Sequence, residues 1–460
     1  MRTKRLLIRL FFLAFFWLFI SSDNSMAQEI ELRPVLSREQ AVKEMLENNF
    51  GIQLANNVVG IAENNKNILN SGYLPSLSGL AGASYDLSDS RTNFNGALDS
   101  EGNERPDNII NDAETNRYNA SVNLDYTLFD GLGRYYDFKS LKEQYNLSVL
   151  EARETIELTT IQLFSVYYEL ARITENVSVL EEALKISKDR ELRTSYRFDY
   201  GQVNKLEVLN AQVDVTTDSI NLLNARQQLQ NVQRDLNLVL NRDLETTVRV
   251  DTTVVFISEL QLNDFMATVE DNNVDLIQNE RSILVQDYAV KSARSLMLPS
   301  IGLSGSYGWN LSNNPASAFF PGTTNNSTSL NMGVNLRWNL FDGGQSITAV
   351  KNARILRDNE AIVREQLRQQ VFRDLANARG DYDNALYIYR LQEQNVLTNE
   401  DNFRRSQERL NLGQITSVEF RQAQLNLLNA ETNKNAAKYT AKLAEARLLQ
   451  LTGQLLNVLF

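Results

Sequence analysis

The chain is written twice, and that duplication constrains what it can fold into. Glu47-Asn48-Asn49 recurs as Asp271-Asn272-Asn273, and Leu74-Pro75-Ser76 recurs at the same spacing as Leu298-Pro299-Ser300. Further along, Leu128-Phe129-Asp130-Gly131 recurs at a slightly shorter spacing as Leu340-Phe341-Asp342-Gly343. The stretch GQVNKLEVLNAQ from Gly201 returns at that shorter spacing as GQITSVEFRQAQ from Gly413. The spacing therefore changes between residues 76 and 128, where copy one carries extra chain. Insertions collect in loops, so a variable loop is expected there. The two copies are taken as residues 28–250 and 251–460.

Each copy reads helix, strand, loop, strand, helix, helix. Proline breaks helix interiors, and none occurs between residues 107 and 298 or after 321. Copy one is expected to hold helices at 37–71, 134–198 and 203–241. Copy two should hold them at 262–297, 345–411 and 416–453. A helix of about 65 residues would span roughly 100 Å at 1.5 Å per residue, more than a globular domain needs. Leu222, Ala225, Leu229, Val232, Leu236 and Val239 repeat at alternating three- and four-residue steps, a coiled-coil seam. Ala437, Ala441, Ala444, Leu448 and Leu451 form the equivalent stripe in copy two, where small residues allow close helix approach.

Strands are expected at 75–87, 117–129, 299–311 and 329–341. Leu77, Gly79, Ala81, Ala83, Tyr85 and Leu87 alternate with mostly polar or small neighbours, and Tyr118, Ala120, Val122, Leu124, Tyr126 and Leu128 do the same. Copy two repeats this with Ile301, Leu303, Tyr307, Trp309 and Leu311, then Leu330, Met332, Val334, Leu336, Trp338 and Leu340. Period-two alternation over about 11 residues is the length of a tilted membrane strand. Tyr85, Tyr126, Trp309 and Trp338 sit near strand ends, where interfacial aromatics belong. A soluble half-buried hairpin alternates in the same way. What separates the two readings is the other face, which is almost wholly polar or small, as a water-filled lumen requires. Four strands cannot close a membrane barrel, whose smallest examples have about eight, and an open edge in lipid leaves backbone groups unpaired. The chain must therefore oligomerise; a dimer would supply about eight strands and a trimer about twelve.

Composition narrows the chemistry. The chain has no Cys and no His, which removes thiol nucleophiles, disulfides, Cys/His zinc sites and imidazole bases. No catalytic, metal or cofactor site is expected. Carboxylates such as Glu151, Glu154 and Glu157 read as a solvated helix face. An acidic balance, 46 Lys+Arg against 57 Asp+Glu, argues against nucleic acid. Arg2, Lys4, Arg5 and Arg9 precede an apolar run from Leu10 to Ile20, and Ser25-Met26-Ala27 supplies small residues before Gln28. That pattern is a secretory signal peptide over residues 1–27.

Together the duplication, the two Leu-Pro-Ser strand starts, the two Leu-Phe-Asp-Gly turns and the two Gly-Gln…Glu…Ala-Gln segments resemble the TolC-like outer-membrane efflux protein family, across residues 36–455. The resemblance implies a mixed, mainly α fold: a homotrimer with a 12-stranded barrel in the outer-membrane lipid above a long helical periplasmic barrel. It implies a passive exit duct for a tripartite efflux or type I secretion system. The partners would be a periplasmic adaptor and an inner-membrane transporter of RND, ABC or MFS type. A non-transporting periplasmic coiled-coil scaffold anchored at the outer membrane is the alternative.

Under the resemblance, Phe129-Asp130-Gly131 and Phe341-Asp342-Gly343 turn the chain from barrel into helix. Residues 88–116, acidic, and 312–328, carrying Phe319 and Phe320, become extracellular loops. Gly201, Gln202, Gly413, Gln414 and Thr416 mark the periplasmic tips that meet the adaptor. Glu207 and Glu419 become candidate acidic rings at the pore entrance, or else ordinary solvated or paired helix residues. The family's second acidic residue is Gln422 here, and its tip-locking Tyr and Arg are Leu410 and Ile415, so a gate of that kind is not expected.

Overall fold

The structure, a computed structural model, describes residues 35–316 and 321–458. The signal-peptide segment and Phe319 and Phe320 lie outside the described residues. In chain order the elements are α1 (Arg38–Asn48), α2 (Phe50–Asn65), β1 (Ser76–Thr92), β2 (Asn108–Phe129), α3 (Gly133–Asp199) and α4 (Lys205–Leu240). Copy two follows with α5 (Glu259–Ala267), α6 (Val269–Asn272), α7 (Val274–Ser295), β3 (Ser300–Asn314), β4 (Thr323–Arg337), α8 (Gln345–Asn411) and α9 (Ser417–Leu451). The fold is mainly helical with one four-stranded antiparallel sheet.

The two long helices, α3 and α8, have 67 residues each. No described helix is long and apolar enough to cross a membrane. Their stability comes from packing rather than propensity. Each pairs with the helix after it, α3 with α4 and α8 with α9, and α9 also lies against α3. The main core sits about midway, where Leu163, Phe164, Tyr167 and Leu170 of α3 meet Met45, Ile52, Leu236, Leu240 and Leu448. The segment joining the copies is strapped across this belt. Val250 bridges Leu36 in parallel, and the Tyr167 hydroxyl donates to the Leu36 carbonyl at 2.8 Å. Lys442 and Glu445 form a fully buried ion pair on α9; Lys442 Nζ donates to Val255 O, and Glu445 accepts from Ile257 N.

The expected helices 37–71 and 262–297 are broken at Asn49 and Asn273, the second also at Thr268 between α5 and α6. Both asparagines are extended, with ψ of 129° and 123°. Each carboxamide oxygen caps the next helix, Asn49 accepting from Gly51 N and Asn273 from Leu276 N. Each Nδ2 donates 2.9 Å to a distant helix end, Asn49 to Val239 O and Asn273 to Leu451 O. Val239 and Leu451 are themselves repeat equivalents, at the spacing that relates Leu128 to Leu340, so the break is duplicated with its partner.

The strands also depart from expectation. β1 and β2 run on through residues 88–92 and 108–116, leaving a shorter connection than 88–116. Backbone pairing needs no apolar alternation, so the hairpin continues in polar sequence; Asp112 N donates to Asp89 Oδ1 at its bulge. β3 and β4 likewise extend to Asn314 and Thr323. In the other direction β4 stops at Arg337, paired with Ser300, instead of reaching 341. Pro299 precedes its partner strand and has no N–H to continue the ladder.

Candidate functional site: the sheet face and the helical tips

The sheet order is β1-β2-β3-β4, which places the strand pair of one copy beside that of the other. Residues paired across antiparallel strands share a face. The register Ala83↔Tyr118, Val122↔Tyr307 and Leu303↔Val334 therefore joins the apolar positions of all four strands into one surface. Leu77, Tyr85, Val122, Tyr307, Leu330 and Met332 are exposed on it. Ser78↔Asn123, Asn123↔Ser306 and Ser306↔Asn331 run through the opposite, polar face. An extensive exposed apolar face on a sheet marks a surface meant for lipid or a partner. The outer strands β1 and β4 carry free edges of 17 and 15 residues.

Tyr85 and Trp309 lie on the apolar face. Tyr126 shares it, half-buried, and Trp309 Nε1 donates to Asn326 Oδ1 at 2.8 Å. Trp338 falls one residue beyond β4, still exposed, its Nε1 donating to Met297 O.

At the sheet-to-helix turns the two aspartates hold the starts of α3 and α8. Asp130 Oδ2 accepts from Arg134 N at 3.1 Å, and Asp342 accepts from Gly344 N and Ser346 N. Hydrogen bonds from the Ser346 hydroxyl and amide hold the Asp342 carboxyl below the usual carboxylate range. Gly131 and Gly343 take left-handed backbone there. Phe129 ends β2 at a bulge opposite Ile301, and Phe341 is exposed after β4. Arg134 is a residue the sequence reading missed. Its guanidinium pairs with Asp130 and also donates to Gly72 O and Thr127 O at 2.7 Å, locking hairpin base to helix. Only its spacing of four from Asp130 could have signalled the pair.

At the far end both helix pairs turn the same way. Gly201 and Gly413 each have φ of 71°, a conformation glycine adopts without Cβ strain. Gln202 N reaches back to Arg197 O and Gln414 N to Arg409 O, closing two Schellman caps. The return helices start at side-chain caps. Asn204 accepts from Glu207 N; Thr416 and Glu419 form a reciprocal capping box, with Thr416 N donating to Glu419 Oε2 at 2.7 Å. Bonds from the Thr416 amide and hydroxyl hold the exposed Glu419 carboxyl below the usual carboxylate range. The box thus contributes stability above the unfolded value, lost as pH falls through the lower folded one.

A buried ionic cluster lies above the tips, and the sequence reading did not find it. Arg421 of α9 donates to Asp218 of α4 from both Nη atoms, at 2.8 and 2.7 Å, and its Nε is 3.4 Å from Asp214. Ser187 of α3 donates to Asp218 at 2.5 Å, Arg190 pairs with Asp214, and Gln424 donates to Ala183 O. Burial pulls the Arg190 guanidinium below its ordinary value. This cluster ties the two helix pairs together. Glu157 also corrects expectation: it is 1% exposed rather than solvated. It faces the junction where Arg153, paired with it at 2.8 Å, also donates to Asn272 O and Gly453 O. Burial raises its carboxyl above the usual range. Among the described residues no three or more carboxylates are grouped so as to hold a metal ion.

The sequence profile of the outer membrane efflux protein family matches residues 41–242 and 267–454. The chain belongs to that family. Membership of an outer-membrane family accounts for an exposed apolar sheet face on long helices better than a soluble hairpin would. The outer membrane protein TolC of Vibrio cholerae is 22% identical over 298 residues, covering 64% of this chain and 67% of the relative. Among solved structures, the Campylobacter jejuni CmeC outer membrane channel superposes with a TM-score of 0.70 at 19% identity, covering 91% of this chain and 86% of that one. The Neisseria gonorrhoeae MtrE outer membrane channel, in its open state, gives 0.67 at 15% identity over 91% and 89%. As a family member the chain is an outer-membrane efflux channel protein with a transport role.

Proposed function

We propose that three copies close a twelve-stranded barrel and serve as the passive exit duct of a tripartite efflux or type I secretion system. The observation that carries this is the four-stranded sheet: one face is mainly apolar across all four strands, the other mainly polar or small, and both edges are free. An isolated sheet of that kind cannot rest in lipid, because its edge N–H and C=O groups would lack partners. Below it, the 67-residue helices α3 and α8 are each long enough, about 100 Å at 1.5 Å per residue, to wall a tunnel through the periplasm. The tips at Gly201-Gln202 and Gly413-Gln414-Thr416 would receive a periplasmic adaptor, itself coupled to an inner-membrane transporter of RND, ABC or MFS class. Energy would come from that transporter.

Purified from the outer membrane in mild detergent, the protein should migrate as a trimer and give discrete conductance steps in planar bilayers. A soluble monomer, or a trimer that never conducts, would favour the scaffold reading. Glu207 and Glu419, three of each, would favour cations at the entrance. The E207Q/E419Q double variant should keep its conductance steps and shift the reversal potential in a salt gradient toward zero selectivity. An unchanged reversal potential would remove these residues from the pore.

A further inference from the structure

Directly beneath the sheet, cations and aromatic rings interleave. Lys139 Nζ lies 5.7 Å from the Tyr135 ring centre, and Lys142 Nζ lies 4.4 Å from that of Phe138. Tyr135 meets Tyr136 edge-on at 5.3 Å, and Lys291 of α7 sits 5.9 Å from Tyr136 and 5.1 Å from Tyr288. Arg294, nearly one turn closer to the sheet, is exposed. None of these four cations pairs with a carboxylate among the described residues, although acids outnumber bases in this chain, 57 against 46. The acids close by are engaged or turned away. Asp130 holds Arg134, Glu143 meets Arg281, and Asp287 lies 3.7 Å from Arg357. Asp137 is two residues from both Tyr135 and Lys139, about 200° round the helix, so it stands on the opposite side of α3. A ring face holds an ammonium without neutralising it, so the positive charge stays available.

We propose that this basic and aromatic patch docks the anionic phospholipid headgroups of the outer-membrane leaflet that faces the periplasm. The inference rests on the reading above, in which the sheet spans the membrane and the helices wall a duct beneath it. Depth supports it. The four cations lie within about 14 Å of the helix ends that meet the sheet, at 1.5 Å per residue. A headgroup layer is roughly 5–8 Å deep on each side of the hydrocarbon. Lysine and arginine stems carry their charges toward it, and a charged surface acts over about 8 Å beyond it. Tyrosine suits that level, with an apolar ring and a wet hydroxyl. The side of α3 fits as well. Arg153 and Tyr167, five and about nine turns below Tyr135 at 3.6 residues per turn, share its side. They contact Asn272, Gly453 and the strap at Leu36. Chain laid across that side would block a lumen, so it is the outside of the duct. Each cation near an anionic leaflet adds to the attraction, so the four act together.

Fluorescent phosphatidylglycerol and a matched phosphatidylcholine, titrated onto the full-length protein in mild uncharged detergent and read by anisotropy, test this. The parent should prefer phosphatidylglycerol by at least about tenfold, and molar salt should erase the preference. K139Q/K142Q/K291Q/R294Q should lose it. K139R/K142R/K291R should keep it, because the charge is retained. K185Q/K188Q/R193Q/R197Q, which removes four exposed cations from the lower half of α3, should keep it too. Equal affinity of the parent for the two lipids, or a preference that survives in the first variant, would overturn the patch. Displacement of the probe by glycerol phosphate or polyglutamate as effectively as by unlabelled phosphatidylglycerol would make it a general anion surface and overturn the lipid. Size analysis of the same samples separates the two readings. An intact oligomer without lipid preference overturns the patch alone, and a monomer that keeps the preference overturns the oligomer alone.

Discussion

Replacing Arg421 with alanine should destabilise the helical part by about 3–5 kcal/mol, the usual cost of stripping one partner from a buried ion pair. The reason is Asp218. Its side chain is 2% exposed, and its carboxylate is held by both Arg421 Nη atoms and the Ser187 hydroxyl. Without Arg421 the buried Asp218 carboxylate keeps one hydrogen-bond donor, the neutral Ser187 hydroxyl, and only the more distant charge of Arg190. The variant D218L/R421L removes both charges and refills the volume, so it should lie within about 1.5 kcal/mol of the parent. Chemical denaturation followed by far-ultraviolet circular dichroism would rank the three proteins. If the single variant proves no worse than the double, the buried charge is not what makes the site costly to disturb. The consequence reaches the tips, because the cluster joins α3 and α4 of copy one to α9 of copy two. The repeat equivalents of Arg190, Asp214, Asp218 and Arg421 are Asn402, Asn426, Ala430 and Leu209, none of them charged. The helix pairs within one chain are therefore bound by ions, while the corresponding positions elsewhere hold no such tie.

Much of this architecture was legible because its strongest rules are local. A membrane strand must alternate, so the phase of Leu77, Val122, Tyr307 and Val334 could be read before any pairing was known, and the register then places all four on one face. Long proline-free stretches likewise announced α3 and α8. What stayed hidden depended on partners remote in sequence. Asn49 and Asn273 were visible as repeated residues, but the acceptors that make them helix breaks, Val239 O and Leu451 O, belong to helices far along the chain. Glu157 looked like any exposed helical carboxylate until Arg153 and the end of α9 covered it. Arg421 is one cation among many, and nothing beside it in the chain points to Asp218. The sites assigned by position, such as Gly201 and Gly413, owed their visibility to backbone demands. The sites assigned by charge did not have that advantage.

Gly453→Ala should be the most damaging small substitution outside the core, at about 3–5 kcal/mol. Gly453 follows α9 with φ of +68°, where any side chain costs roughly 1–2 kcal/mol. A Cβ there would also lie 2.0 Å from Asn272 O and 2.5 Å from its carbonyl carbon. Those are backbone atoms at the Asn273 break, and they cannot swing aside. They are fixed by Arg153, which donates to both Asn272 O and Gly453 O at 3.0 Å, and by Asn273 Nδ2 on Leu451 O. Relief would require pulling the end of α9 off the start of α7, at overpacking costs that reach several kcal/mol. The sister position in copy one supplies the control. Asn241, its repeat equivalent, has the same left-handed backbone with φ of 55°, yet carries a side chain whose Nδ2 donates to Asn48 O at 3.2 Å. N241G should shift stability by about 1 kcal/mol or less, since a lost exposed hydrogen bond is set against an easier backbone. Thermal melts of both variants, with hydrogen exchange at residues 272–276 and the last turn of α9, would test the contrast. Faster exchange confined to those two segments in G453A alone is the expected pattern. If G453A melts with the parent, the contact between α9 and the Asn272 carbonyl is loose. The duplicated ends would then be equivalent in tolerance as well as in shape.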